Sequence, residues 1–174
     1  RNNSAYDRFW EGRKLWGELV LRCRNFGRQC TGLIEYPTPA VAGNGLQDAR
    51  VRMIRRAIAF VQVLRDRLRG QPSDAAVAAH LLPAEYAAMQ NAANKPDFLM
   101  LEMGADLQRC LRERRIEPCL AANIDATLSA MTAAAASCER IKNTPIPYSY
   151  TLLLHRTAYL YCFLLPFGLV DTIG

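Results

Sequence analysis

The chain has 174 residues, 51% of them hydrophobic, and a net charge of +6, so it is long enough for one ordinary domain with a real core. Its six cysteines form no CxxC pair, and with only two histidines a zinc site is not expected. Scattered cysteines of this kind fit reduced thiols in a cytosolic domain. No phosphate loop, paired-carboxylate spacing or nucleophile elbow appears, so neither an enzyme nor a cofactor is predicted.

The first predicted helix begins at Ser4, a favourable N-cap that has Asp7 three residues further on, as in a capping box. It should run to about Arg28, because apolar side chains fall on one stripe at helical spacing: Phe9, Trp16, Leu19, Val20, Cys23 and Phe26. Residues 32–47 are predicted to form a loop, since they are rich in proline, glycine and asparagine.

The second predicted helix begins at Asp48 and ends at Gly70 and Pro72, the usual order for a helix C-terminus. Its buried face is predicted from a clear period of 3.6 among apolar residues: Val51, Ile54, Ile58, Val61, Leu64 and Leu68. Its arginines are expected to lie mostly on a solvated face: Arg50, Arg52, Arg55, Arg56, Arg65, Arg67 and Arg69. A helix that binds nucleic acid would interleave aromatic or amide residues with them, and these are few.

Four further helices are predicted, each with its own start signal: Ser73 for a short helix to about Leu81, Pro83 for residues 84–94, Asp97 for residues 98–115, and Pro118 or Cys119 for a long alanine-rich helix to Ile141. The long helix should bury Leu120, Ile124, Leu128, Met131, Ala135 and Cys138. His80 is interpreted as a surface or packed histidine rather than a base, and Glu85 and Glu102, which sit among helix formers, are interpreted as surface charges. No stretch alternates with period two, so the predicted fold class is all-α.

Residues 148–170 are the most apolar stretch and hold a single ionised side chain, Arg156. They are long enough for a helix that crosses a bilayer, which needs about 20 mostly apolar residues. A turn should precede this helix, because prolines at two alternate positions cannot lie in a helix interior: Asn143, Thr144, Pro145, Ile146 and Pro147. Residues 171–174 are predicted to begin the next loop.

Arg156 would be costly near the middle of a membrane, so we expect it to contact a polar group rather than lipid. Only Arg156 and Asp171 are charged after Lys142, which places the whole positive excess in residues 1–142. A basic flank beside a membrane helix indicates the cytoplasmic side. Two other interpretations stay open: the apolar stretch is a buried helix at the centre of a soluble bundle, and the basic surface is only solvated or binds nucleic acid.

Two stretches carry a more specific pattern, RNNSAYDRFWEGRKLWG at residues 1–17 and CERIKNTPIPYSYTLLLHRTAYLYCFLLPF at residues 138–167. In both, the chain resembles the bestrophin family, in its bacterial branch. The NTPIP turn before a tyrosine-rich apolar helix is the most specific part. Between the two stretches the resemblance rests mainly on helix order, together with the Arg-Ile-Glu-Pro turn at residues 115–118.

The resemblance implies an ion channel. Bestrophins are pentamers with four membrane helices per subunit and a large helical cytosolic region between the second and the third. This chain resembles the end of the second helix, the cytosolic region over residues 1–142, and the third helix, within a multi-pass protein of the bacterial inner membrane. The implied permeant ions are small and monovalent: anions such as chloride in most of the family, or cations such as sodium in part of the bacterial branch. The implied partners are a homopentamer, membrane lipid and these ions, with no nucleic acid.

The resemblance also implies where the pore narrows at its cytosolic exit. The corresponding position directly follows Pro118 and is Cys119 here, with Glu117 and Pro118 at the start of the helix. Relatives have isoleucine at this position, so a smaller and more polar thiol is expected to alter the tightness of the ring. The apolar neck and the calcium-binding segment of animal members have no counterpart among these residues, so calcium gating is not predicted from them.

The alternative function, from a different class, is a soluble basic helical protein that binds nucleic acid or a partner helix. Residues 148–170 discriminate between the two functions. A channel needs them against lipid or other membrane helices, whereas a soluble protein needs them wrapped on all sides within this chain. An enzyme is the least expected class, because no catalytic motif is present.

Overall fold

The computed structural model describes residues 3–36, 45–72, 75–144 and 148–173, and all secondary structure within these ranges is helical. The all-α prediction is therefore confirmed. The chain divides into two compact units, Arg1–Ile141 and Lys142–Gly174, which are described separately below.

Six α-helices and one 3-10 helix make up the described parts of the chain. The α-helices are α1 Asn3–Leu33, α2 Ala49–Arg69, α3 Pro83–Asn91, α4 Lys95–Arg112, α5 Pro118–Asn143 and α6 Tyr148–Ile173, and the 3-10 helix is Ala75–His80. Every predicted helix is present in its predicted order. The short helix after Ser73 is a 3-10 helix, and Ser73 itself lies outside the described residues.

Several helix ends differ from the predictions. The first helix continues to Leu33, about one turn beyond the predicted end. The fourth α-helix begins at Lys95 after the N-cap Asn94, so the predicted cap Asp97 lies instead within its first turn. The last helix continues to Ile173, so the predicted loop at residues 171–174 is wrong for Asp171 to Ile173. Helix interiors are set by periodicity, whereas their ends depend on caps that compete over one turn.

The first unit is built around α2, which packs against α1, α4 and the 3-10 helix. Fully buried core side chains come from these elements and from α3: Leu19 and Phe26 of α1, Met53, Phe60, Val63 and Leu64 of α2, Val77 of the 3-10 helix, Met89 of α3, and Leu99 and Met103 of α4. Burying such side chains supplies most of the free energy of folding, at roughly 25 cal/mol per Å² of apolar surface removed from water.

The buried face of α2 is not the one that its apolar period predicts. Of the predicted stripe, Leu64 is buried, whereas Ile58 is 43% exposed and Ile54 and Val61 are half-buried. The helix instead buries the face that carries Met53 and Phe60. The predicted stripe borders a groove between α1 and α2, so it remains apolar without being enclosed by the described chain.

The prediction of a solvated arginine face on α2 holds for Arg67 and Arg69, which are exposed. It is wrong for Arg50, Arg52 and Arg56, which are only 7%, 7% and 4% exposed. The guanidinium groups of Arg52 and Arg56 converge on Asp106 of α4. Arg52 binds this carboxylate through two nitrogens, Nε to Oδ2 at 2.8 Å and Nη2 to Oδ1 at 2.6 Å, and Arg56 Nη1 donates to Oδ2 at 2.8 Å. Buried arginine is tolerated here because each charge has an opposite charge and good hydrogen-bond geometry.

Two further carboxylates complete this buried charge network. Glu85 of α3 accepts from Arg56 Nε at 2.6 Å, and its side chain is 8% exposed. Glu102 of α4 pairs with Arg56 Nη2 at 3.1 Å, and its backbone carbonyl accepts from Arg56 Nη1 at 2.7 Å. The interpretation of Glu85 as a surface charge is therefore wrong, and that of Glu102 holds only for the part of its side chain that faces solvent. The network ties α2 to both α3 and α4.

Helix α5 completes the core largely as predicted, since Ile124, Leu128, Met131, Ala135 and Cys138 are buried, whereas the predicted Leu120 is only half-buried. Its C-terminal end is tied to the start of α1. A guanidinium nitrogen of Arg8 donates to the carbonyl of Ile141, and Arg140 pairs with Glu11 at 2.6 Å. A helix of 26 residues is about 39 Å long, so α5 connects the start of α1 with the turn that follows α4.

The second unit consists of α6, whose residues 153–169 are all exposed within this chain. Two helices are long and apolar enough to cross a membrane, α5 and the part of α6 from Leu152 to Leu169, among the residues that the structure describes. The sequence-based prediction of a membrane helix covers only residues 148–170. The two helices differ in packing, because α5 contributes buried residues to the core whereas none of the α6 window is buried.

Replacing Asp106 with alanine should strongly destabilise the first unit, because Arg52 and Arg56 would lose their shared carboxylate while remaining buried. Breaking a buried ion pair from one side costs about 3–5 kcal/mol. The measurement is the free energy of unfolding, or the melting temperature, of the complete protein in detergent.

Asp125→Ala is the matched control for this experiment, since Asp125 is an exposed aspartate on α5. It should change the free energy of unfolding by less than about 0.5 kcal/mol. Equal stabilities for the Asp106 and Asp125 variants would show that the buried network does not stabilise the packing of α2 against α4.

Candidate functional site

The turn between α4 and α5 places the predicted site residues. It reverses the chain through Arg114, the described non-glycine residue with positive φ, at 56°. The amide of Arg115 donates to the carbonyl of Cys110 at 2.9 Å, which closes the turn onto the end of α4. The carbonyl of Glu117 then accepts from the amides of Leu120 and Ala121 at 3.0 and 2.9 Å. Glu117 therefore occupies the N-cap position, and Pro118 is the first residue of α5.

Cys119 is exposed in the first turn of α5. Its thiol donates to the Glu117 carboxylate, with Sγ to Oε2 at 3.6 Å. The first amides of a helix lack partners within the helix and carry the positive end of its dipole. Pro118 has no amide hydrogen, and the amides of Leu120 and Ala121 already donate to Glu117. The start of α5 therefore presents a small polar side chain, the positive end of the helix dipole and one neighbouring carboxylate to its surroundings.

The turn is fastened to the chain that follows α1. The backbones of Glu35 and Arg115 pair, with the Glu35 amide donating to the Arg115 carbonyl at 2.8 Å. The guanidinium of Arg115 returns to the Glu35 carbonyl, with Nη2 at 3.0 Å. It also reaches Asp48, at 3.1 Å from Nη2 to Oδ1. The position of Cys119 thus depends on contacts with residues about 70 to 80 places earlier in the chain.

Asp48 joins this turn to the start of α2. Its carboxylate caps α2 by accepting from the Arg50 amide at 3.1 Å, and it binds the Arg50 side chain with Nε at 2.9 Å. Burial by itself would raise the pKa of Asp48, but hydrogen bonds from Arg50 and Arg115 outweigh burial and hold the pKa below its ordinary value. Arg50 also stacks on Tyr36, 3.6 Å from the ring centroid, which adds a cation–π contact.

Four of the other cysteines are less accessible than Cys119, since Cys30, Cys110 and Cys138 are buried and Cys23 is half-buried. Burial raises the pKa of Cys23 to about 11. Burial, reinforced by the neighbouring Cys110, raises the pKa of Cys30 to about 12. Burial likewise raises the pKa values of Cys110 and Cys138. Cys119 and Cys162 are the exposed thiols, and Cys162 lies in α6.

The remaining predicted residues lie around the start of α6. Asn143 is the last residue of α5 and Thr144 forms a bend, whereas Pro145, Ile146 and Pro147 lie outside the described residues. Arg156 is exposed on α6, and no ion pair to it is found among the described residues. Within the described ranges no group of three or more histidine, cysteine or carboxylate side chains is arranged to hold a metal ion.

Sequence reasoning missed the residues that hold the turn in place, Asp48, Arg115 and Glu35. Asp48 was recognised only as a helix start. A local pattern could not reveal its second role, because Arg115 is 67 residues away. In the sequence, only the Arg-Ile-Glu-Pro turn pointed to this region. It marks the position of Arg115 but does not indicate that Asp48 pairs with it.

Comparisons with known proteins identify the family to which this arrangement is similar. The family described as Bacterial/Fungal Bestrophin protein matches residues 1–174. A voltage-dependent anion channel-forming protein of Mesorhizobium japonicum is 40% identical over 174 residues, which cover 100% of this chain and 53% of that protein. Another voltage-dependent anion channel-forming protein, YneE of Escherichia coli, is 40% identical over 172 residues, which cover 98% of this chain and 53% of that protein. The chain thus spans about half the length of the curated relatives it matches.

Solved structures agree with this similarity. A crystal structure of a bacterial bestrophin homologue from Klebsiella pneumoniae, phased on zinc, has a TM-score of 0.86 and 29% sequence identity, over 98% of this chain and 60% of that one. Another crystal structure, described only as that of a membrane protein, reaches a TM-score of 0.88 at 29% identity, over 99% and 61% of the two chains.

Cys119 should react with a water-soluble, charged thiol reagent far faster than the four less accessible cysteines. At pH 7 a thiol of pKa about 11, such as Cys23, is roughly one part in ten thousand thiolate, the reactive form, and burial further blocks access. Peptide mapping by mass spectrometry after brief labelling gives the ratio. Cys119→Ala should remove the main label and Cys162→Ala should not. Equal labelling of Cys30 and Cys119 would contradict the structure.

Asp48→Asn should destabilise the protein at pH 7 by about 1–2 kcal/mol, because asparagine still caps α2 but loses its charge toward Arg50 and Arg115. Since folding lowers the pKa of Asp48, its stabilisation is complete above the ordinary value of 3.8 and disappears as pH falls through the folded value. The difference between variant and wild type should therefore shrink below about pH 4. Unfolding curves at pH 7, 5 and 3 measure it, and a constant difference across these pH values would contradict the assignment.

Proposed function

Because the chain belongs to the bacterial and fungal bestrophin family, we propose that it is part of a subunit of a pentameric membrane channel that conducts chloride and other small monovalent anions. The anion preference is supported by the names of relatives that are 40% identical to this chain and are called voltage-dependent anion channel-forming proteins. The proposed protein is a channel rather than an enzyme.

In this proposal α6 crosses the bacterial inner membrane and residues 1–142 lie largely in the cytoplasm. The full exposure of the apolar α6 window supports a position against lipid or against other membrane helices. The positive excess within residues 1–142 supports the cytoplasmic side. Arg156 then lies roughly 12 Å along the helix from Tyr148, the first residue of α6, at 1.5 Å per residue. This is near mid-depth, where it requires a polar partner from another helix.

The observation that carries the proposed pore position is the exposed thiol of Cys119 at the start of α5. A residue at a pore exit must be exposed within a single subunit, and a buried cysteine would have excluded this role. The positive dipole end at the start of α5 suits the passage of anions. Around a five-fold axis, five such helix starts would form one ring in which Glu117 and Pro118 fix the direction of the thiol.

The alternative of a soluble protein that binds nucleic acid is disfavoured by the burial of Arg50, Arg52 and Arg56. These guanidinium groups are already paired with carboxylates and cannot neutralise phosphates. The soluble alternative also requires α6 to be wrapped within this chain, and its window is fully exposed.

Charged reagents applied to Cys119 from the cytoplasmic side should change the current of the complete channel in a lipid bilayer. A negatively charged methanethiosulfonate should lower the anion current by at least about twofold, because it adds one negative charge per subunit at the exit. A positively charged analogue of similar size should lower it less or raise it. Single-channel conductance is the measurement.

Cys119→Ala should abolish both effects, and Cys162→Ala should preserve them. If both reagents act equally on the Cys119→Ala channel, or on neither protein while channels are open, Cys119 does not line the pore.

A further inference from the structure

The first unit has an apolar groove that the described chain leaves open. A cavity of about 420 Å³ lies between α1 and α2, and its walls are almost entirely apolar, with Val20, Phe26, Ile54, Ile58 and Val61 among them. Two of these side chains are exposed, so the apolar surface continues from the cavity out to its rim. An apolar surface that extends beyond a cavity marks a contact with another macromolecule rather than an enclosed small-molecule site.

The polar groups at this groove have no partners within the described chain. Arg24 lines the groove, is exposed, and belongs to none of the ion pairs found among the described residues. Gln62 also lines it, and its buried Oε1 atom accepts no hydrogen bond there. The described part of the chain places no carboxylate along the groove. A complementary partner therefore has an apolar side chain that packs into the groove and a negatively charged group that pairs with Arg24.

The outer face of α4 offers this combination. Leu101 is 71% exposed, the largest value among the leucines of the first unit that are exposed. Asp97 lies four residues before it and is also exposed, so the two side chains stand one above the other on the same helix face. Leu99 and Met103 occupy the opposite face of α4 and are fully buried, which directs Leu101 away from the core.

The groove and Leu101 belong to different elements of the same unit. All residues that line the groove come from α1 and α2, and neither Leu101 nor any other residue of α4 is among them. Leu101 therefore does not fill the groove of its own chain. A closed ring of identical subunits needs two different patches of this kind, because each subunit meets its neighbours through unlike surfaces.

We propose that Leu101 of one copy inserts into the α1–α2 groove of the next copy, with Asp97 placed against Arg24 across the interface. This inference rests on the proposed function for the closed ring, and it adds the surfaces through which neighbouring cytoplasmic regions meet. The apolar contact supplies the burial, and the rim charges fix the register between subunits.

The test is disulfide cross-linking in the complete protein in lipid nanodiscs, with Cys23, Cys119 and Cys162 replaced by alanine, because Cys119 and Cys162 are exposed and Cys23 lines the groove. Ile58→Cys combined with Leu101→Cys should give a ladder of linked subunits on mild copper–phenanthroline oxidation. The ladder should end at the number of subunits found by native mass spectrometry. Each single variant should give no ladder, and Ile58→Cys with Ala126→Cys on α5 is the matched control, which should also give none.

The outcomes separate the interface from the function. An intact pentamer without cross-links between positions 58 and 101 overturns the interface and leaves the channel proposal standing. A monomer in native mass spectrometry overturns the ring and the interface together. Dimers from the single Ile58→Cys variant would show a symmetric contact between two grooves. If the groove does not cross-link and instead holds bound lipid or another small molecule, its occupant is not Leu101. Both results overturn the proposal.

Charge exchange gives a second measurement that needs no cysteine in the groove. Arg24→Glu should lower the fraction of assembled protein by about two- to fivefold, because it places two negative charges together at an exposed rim. Adding Asp97→Arg should restore assembly. An equal loss in the double variant would contradict the pairing of these two residues.

Discussion

The binding of Arg52 and Arg56 to one buried carboxylate, Asp106, is the constraint on which the first unit depends. Apolar side chains pack α2 against α4 but allow more than one register, because aliphatic contacts have little directionality. A bidentate guanidinium–carboxylate pair has one good geometry. The extension of the network to Glu85 also fixes α3, so three helices are aligned by a few short charge contacts.

Polar contacts also connect this buried network to the proposed pore exit. Arg52 donates to the Leu46 carbonyl at 2.9 Å, just before Asp48 caps α2. Asp48 in turn holds Arg115, and Arg115 holds the turn that begins α5. A series of ion pairs and hydrogen bonds thus runs from the centre of the unit to the turn that precedes α5. Cys119 lies directly after this turn, and a residue in a narrow pore ring requires such support.

Two apolar helices of equal length have different surroundings in this chain. Both α5 and α6 have 26 residues, and both pass the length and composition test for a membrane span. Hydropathy measures what a helix contains and not what surrounds it, so it cannot tell a core helix from a lipid-facing one. Packing makes the distinction, because α5 buries Ile124 and Met131 in the core while α6 remains exposed over the whole window.

The sequence by itself determined the number, order and type of the helices, the apolar final helix, the family and the helix start that bears Cys119. These features follow from local signals: periodicity, caps, prolines and short motifs. Only the tertiary structure decided which face of α2 is buried. The helix offers an apolar stripe and a set of arginines. Two of these, Arg52 and Arg56, are buried because carboxylates 29 to 54 residues away neutralise them. Such partners leave no periodic trace near the arginines, so Ile58 was expected inside and Arg56 outside, and folding reversed both.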